Sequence, residues 1–257
     1  MSSSALQSLL VVEMGDSVAG AYAGKLFADY GSEVHLVGAG PPIQGGSFFC
    51  SSKHLSGPDL LNEADVVIQA SSTDPIEQAY EPSNPQQIVV RISPFALSGP
   101  YATWRSTDLV DAAIAGHLRL TGSPTREPLN GVPDIVHMAA GVTGFIGALA
   151  ALMARARTGR GQRVETSHQE VLAALHQFSL LRYTHNGAIL NRMGNRYSGP
   201  GTPIGAYECA DGWIGLAISQ SDQMERLLEV TGLIHLLDRD EVETIYDVMA
   251  NQELLDG

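Results

Sequence analysis

A carboxylate placed at the start of a helix is the sharpest chemical feature of this chain. Ser167-His168-Gln169-Glu170 has capping-box spacing, with serine at the N-cap and glutamate three residues further on. Glu170 can serve its own helix as part of that cap. It can also stand as a nucleophile where the helix dipole favours negative charge. A second feature is the turn Gly15-Asp16-Ser17-Val18-Ala19-Gly20, whose amides at a helix start can receive an anion. It is not GxGxxG, and the next strand runs from Val37 into Gly38 with no acidic residue for an adenosine ribose. A nicotinamide dehydrogenase is therefore disfavoured. His117, His137, His168 and His185 find no convincing partner in the sequence, and His168 and His176 do not have metal-pair spacing. Cys50 and Cys209 form neither a CxxC nor a ligand cluster, so no disulfide framework or zinc site is expected.

These groups need a frame. Residues 8–14 (SLLVVEM) read as a buried parallel strand, followed by a helix over 19–30 that stops at Gly31. EVHLV at 33–37 is a second strand. After a loose glycine- and serine-rich stretch come a short helix over 59–64, a third strand over 65–68 (DVVI) and a fourth over 87–92 (QIVVRI). Such alternation predicts βαβ units and a doubly wound, Rossmann-like, mostly parallel α/β sheet. Ser106 is the expected N-cap of a helix through about residue 115. A long apolar helix is expected over 136–157, with Gly141, Gly144 and Gly147 making one face nearly bare backbone. The turn Thr158-Gly159-Arg160-Gly161-Gln162, the short strand 163–166 and a helix opened by Ser167 follow. From Ser198 the texture changes to a glycine/proline loop and a hairpin with Asp211-Gly212 at its turn. An acidic helix then begins at Ser221. The expected division is a large domain over 1–200, with a linker and the start of a smaller α+β domain over 201–257.

The chain has 257 residues, 44% hydrophobic and 17% charged, which excludes disorder. A net charge of -13 and a pI near 4.9 argue against a nucleic-acid binder. Residues 151–200 nevertheless carry seven arginines against Glu165 and Glu170. That basic segment reads either as a local anion site or as a solvated helix end. No basic n-region follows Met1, and the apolar run 138–153 is short for a bilayer span, so the expected setting is cytoplasmic, with no membrane partner.

Five stretches, in order, carry a resemblance: VVEMGDSVAGAYAGKLFADYGSEVHLV, ISPFALSGPYA, STDLVDAAIAG, TGRGQRVETSHQE and YECADGWIGLAI. Together they resemble the class III CoA-transferase family, which includes formyl-CoA and carnitine CoA-transferases and acyl-CoA racemases. TGRGQ followed by a strand and a helix-opening carboxylate is the most specific part. The resemblance implies a Rossmann-like large domain joined to a smaller one in an interlocked homodimer. Its substrates would be an acyl-CoA and a carboxylic acid, with coenzyme A as substrate and no metal or redox cofactor. It makes Glu170, where the transferases carry aspartate, the candidate nucleophile. It places a CoA-contact loop at Asp16, Ser17, Val18, Ala19 and Gly20, and a glycine loop over the thioester at Gly199-Pro200-Gly201.

Three departures accompany it. Glutamate replaces aspartate; the family's Asn-Phe-Arg-Pro-Gly type segment is replaced by Gln69-Ala70-Ser71-Ser72-Thr73-Asp74; and the chain reads as an N-terminal portion of the family's architecture. They keep open a non-catalytic CoA-binding or partner subunit. A racemase is the weaker alternative, because Thr107, before Asp108, stands where the racemases have their histidine and cannot act as that base.

Overall fold

The β-branched runs form strands because both of their faces are covered. In a computed structural model, which describes residues 4–38, 46–196 and 203–239 with Thr244 and Asp247, the chain opens with β1 (Leu10–Met14), α1 (Val18–Asp29) and β2 (Glu33–Val37). There follow α2 (Gly46–Cys50), β3 (Lys53–Ser56), a single 3-10 turn (Pro58–Asn62), β4 (Val66–Ala70) and β5 (Ile88–Ser93). After them come α3 (Asp108–Ile114), α4 (His117–Leu120), α5 (Ile135–Thr158) and β6 (Arg163–Ser167). The six strands make one sheet in the order β3-β2-β1-β4-β5-β6, every neighbouring pair parallel. This is the doubly wound arrangement expected, with the strand order reversing between β1 and β4.

Two faces follow from the strand period of two. Val11, Val34, Val66, Ile68, Val90 and Ile92 face the layer containing α1 and α5. Val12 and Val67 face the opposite layer with Ala64, Leu60, Leu61 and Tyr80. Phe27 of α1 meets Phe145 of α5 edge-on at 4.8 Å and is wholly buried, worth about 2–3 kcal/mol of hydrophobic burial. Glu13 shares the first face, where its carboxylate accepts from Lys53 Nζ at 2.7 Å. Burial pushes the Glu13 carboxyl up, although Lys53 opposes it. A Cβ at Gly24 would lie 2.3 Å from Glu13 Oε2, so α1 keeps a glycine over this ion pair.

The structure adds β3, which the sequence reading passes over as loop. Leu55, its one large apolar residue, is 78% exposed, because an edge strand needs little hydrophobic signature. The N-cap of α3 is Thr107 rather than Ser106; the Thr107 hydroxyl accepts from Val110 N. In α5 the glycine stripe is a docking face. Added Cβ atoms would reach 2.5 Å from Ala19 O at Gly141, 2.8 Å from Ile92 Cδ1 at Gly144 and 2.5 Å from Val164 Cγ1 at Gly147. At 24 residues α5 exceeds the apolar run seen in the sequence and is long and apolar enough to cross a membrane by length and composition. Here that character serves the helix face laid on the sheet.

The TGRGQ turn is equally structural. Gly159 ends α5 in the left-handed region (φ 69°), and Arg160 N donates to Thr158 Oγ1. Gly161 N donates to Pro85 O, while a Cβ on Gly161 would collide with the carbonyl of Gln87.

Two compact units emerge, Met1–His117 with Asn130–Gln177, and Leu118–Leu129 with Phe178–Gly257. The first contains the sheet and α6 (His168–Leu175). The second contains most of α7 (Gln177–Asn186), the hairpin β7 (Ile204–Cys209) and β8 (Gly212–Ala217), and α8 (Ser221–Thr231). Arg192 donates to the carbonyls of Ser123 and Arg126, which ties residues 118–129 into the second unit. In the hairpin Gly212 already pairs with Cys209, so the two-residue loop is Ala210-Asp211. Both cysteines are free.

Gly161→Ala is expected to lower unfolding stability by about 2 kcal/mol or more, since backbone rather than a movable side chain blocks the new methyl. Urea denaturation checks this, and an unchanged midpoint would contradict the close approach.

Candidate active site

The ladder between β5 and β6 ends with Ser93 opposite Ser167. Ser167 is fully buried and takes the extended N-cap conformation of α6. Its hydroxyl accepts from Glu170 N at 3.2 Å and donates to Glu170 Oε2 at 2.7 Å. Cap and carboxylate are thus one unit: the same serine closes the helix start and holds the glutamate. Ser167 and His168 are buried, whereas Glu170 is exposed. The carboxylate lies beyond the carboxyl end of the sheet, the edge where ligands meet this class of fold.

The first strand-helix turn lies at that same edge. Gly15 and Asp16 are exposed, and Ser17, Val18, Ala19 and Gly20 are buried. Two leading amides already have partners: Val18 N donates to Ser72 Oγ at 3.3 Å and Ala19 N to Ser17 Oγ at 3.1 Å. Gly20 is a packing glycine, since a Cβ there would come within 2.8 Å of Ala70 Cβ. Gly15 (φ 108°) lets the turn pass Ala70, with room for only a hydrogen at 2.3 Å from its carbonyl oxygen. A cleft of about 210 Å³ opens beside it, lined by Met14, Gly15, Ala70, Ser71, Ile76 and Gln78 among others. This is the point where the strand order reverses. Gln69 fixes the cleft wall by accepting from Tyr80 N and donating to Gln78 O, each at 2.8 Å.

Within the unit that holds the sheet, the arginines at the end of α5 and the start of β6 lie away from Glu170. The TGRGQ turn precedes β6 and Glu170 follows it, which puts roughly 16 Å of strand between them. Arg155 pairs with Asp65 at 3.0 Å, and Arg163 pairs with Glu81. These arginines neutralise acids at the amino ends of the strands rather than forming an anion site with the carboxylate. Gly199 and Gly201 lie outside the described residues.

One constellation was not legible in the sequence. Asp111 of α3 is fully buried; its Oδ1 accepts from Ser106 Oγ at 2.5 Å and its Oδ2 lies 2.9 Å from His168 Nδ1. His137 of α5 points Nε2 at the same Oδ2 from 3.6 Å, and its Nδ1 lies 3.2 Å from Asp134 Oδ1. Asp134 adopts a left-handed backbone (φ 61°) at the N-cap of α5. Burial alone would raise the Asp111 carboxyl, but the two histidines bring it below its ordinary value. Burial opposes a charged His137, yet Asp111 and Asp134 outweigh it and raise that imidazole. For His168 burial wins and lowers it, against the pull of Asp111. His117 also finds a neighbour, His176, at 3.1 Å.

Ser167→Ala removes both bonds of the cap and is expected to cost about 1 kcal/mol. Glu170→Gln keeps the backbone bond and is expected to cost under about 0.5 kcal/mol. Denaturation of both variants checks the order, and equal losses would contradict it.

The sequence profile of CoA-transferase family III matches residues 58–257. A CaiB/BaiF family protein from Brucella suis superposes with a TM-score of 0.77 at 26% identity, over 99% of this chain and 77% of that one. Rv3272 from Mycobacterium tuberculosis shares the fold with a TM-score of 0.79 at 23% identity, over 99% of this chain and 76% of that one. With the six-stranded parallel sheet and the profile match agreeing, the chain belongs to CoA-transferase family III.

Proposed function

We propose that this protein transfers CoA between an acyl-CoA and a carboxylic acid, with Glu170 as the nucleophile. Membership of the family supports CoA transfer or the related racemisation in general. The observation that carries the finer reading is the exposed Glu170 carboxylate, anchored through one oxygen by a buried serine at a helix start.

In this chemistry the free carboxylate oxygen attacks the thioester carbonyl. The C–S bond breaks, giving a mixed anhydride and CoA thiolate. The thiolate then attacks the glutamyl carbonyl, which forms a glutamyl-CoA thioester and releases the donor acid as its carboxylate. An acceptor carboxylate reverses both steps, leaving with CoA and restoring Glu170. Ser167 holds the side chain in place, so the extra methylene relative to aspartate need not cost alignment.

The cleft at the β1–β4 reversal suits the nucleotide end of CoA. From β1 to β6 is three strand spacings, roughly 14 Å, a gap for the extended pantetheine arm to cross. In this reading the exposed backbone at Gly15 and Asp16 contacts the ligand. A second copy of the chain completes the site as an interlocked homodimer. The racemase alternative gains nothing at position 107, where the threonine hydroxyl is occupied in capping α3.

The chain incubated with a panel of acyl-CoA thioesters and quenched is expected to yield a CoA or acyl adduct on the peptide holding Glu170. Glu170→Gln is expected to abolish the adduct and to lower transfer by about 10³-fold or more. Full transfer by Glu170→Gln would overturn the role of this residue. Saturable CoA binding with neither adduct nor transfer would favour a binding subunit.

A further inference from the structure

We propose that Asp111 Oδ2, His137 Nε2 and His168 Nδ1 form a binding site for one divalent transition-metal ion of the zinc type. The three residues come from α3, α5 and α6, and all are buried, at 0%, 5% and 0% exposure. Their ligand atoms all lie within 4.8 Å of one another. The separations from Asp111 Oδ2 are 2.9 Å to His168 Nδ1 and 3.6 Å to His137 Nε2. An ion bound at about 2.1 Å sets adjacent ligands about 3.0–3.4 Å apart, so two imidazoles and a carboxylate stand at nearly the spacing it requires.

A purely hydrogen-bonded relay accounts for the geometry less well. His137 Nε2 approaches the carboxylate only at ion-pair distance, 3.6 Å, and makes no hydrogen bond among the described residues. His168 Nε2, on a fully buried ring, has none either. A buried nitrogen without a hydrogen bond calls for a further ligand, and a cation shared with the facing carboxylate supplies one.

The surroundings are those of a metal site. His137 Nδ1 is oriented by Asp134, and Asp111 Oδ1 is held by Ser106, so two of the three ligands have outer partners. Asp108, one turn before Asp111 on α3, brings another carboxylate whose buried Oδ1 has no partner among the described residues. Three carboxylates around two imidazoles give the cluster an excess of negative charge that a divalent cation would balance. Since His168 lies two residues before Glu170, the ion would pin the first turn of α6 to α3 and α5. The proposal does not depend on Glu170 being a nucleophile.

The chain, stripped with a chelator and titrated with zinc, is expected to bind one equivalent saturably and to show a raised melting temperature. Cobalt(II) in place of zinc is expected to give the visible ligand-field bands of a low-symmetry nitrogen–oxygen site. Asp111→Asn and His168→Gln should each weaken zinc binding at least about tenfold, while His185→Gln, an exposed histidine of α7, should not. Absence of cobalt bands and of saturable zinc binding in the unaltered chain would overturn the proposal, whether or not the variants fold. So would zinc affinity that survives Asp111→Asn and His168→Gln unchanged.

Discussion

The close approach of α5 to the sheet is the contact on which the large unit depends. Through Gly141, Gly144 and Gly147 the helix touches α1, β5 and β6 at distances that admit no methyl group. That approach brings the end of α5 to the 85–87 segment, where Gly161 makes the return into β6. The register of β6 on β5 then places Ser167 opposite Ser93 and aims α6 outward from the carboxyl end of the sheet. A packing requirement spread over three glycines therefore decides where one carboxylate stands. The turn with the most specific sequence pattern does structural work, at the opposite end of β6 from Glu170.

Around Glu170 the division of labour is sharp. Ser167 and His168 face inward and are wholly buried, while Glu170 faces out. Ser167 serves both the helix and the side chain, so the cap is compatible with the role proposed for this glutamate. The groups beneath it hold opposing tendencies: Asp111 is stabilised as a carboxylate, His137 is drawn toward its charged form, and His168 is drawn away from it. Such a cluster is costly to bury unless each charge is balanced, and it fastens three helices just behind the exposed carboxylate.

What could be read from the sequence was local. The β-branched runs of β1, β4 and β5 declared themselves because both faces of a parallel sheet are covered. The capping box declared itself because its partners are three residues apart. β3 stayed hidden, since an edge strand of Lys53, His54, Leu55 and Ser56 has no periodic signal to offer. The Asp111–His168 contact stayed hidden because 57 residues and three elements separate its partners. Two pairings of the arginine-rich segment stayed hidden for the same reason: counting charge could not reveal that Arg155 and Arg163 answer Asp65 and Glu81 at the far edge of the sheet. Local hydrogen bonding and burial patterns are legible along a chain, whereas long-range pairing needs the fold.

In the proposed mechanism a glutamate oxygen becomes part of the transfer chemistry. Its most direct test is turnover with a heavy-oxygen-labelled carboxylic acid as acceptor, followed by mass spectrometry of the peptide carrying Glu170. Label from the acid is expected to enter the Glu170 carboxylate as CoA is transferred. CoA transfer that proceeds while Glu170 stays unlabelled would contradict it.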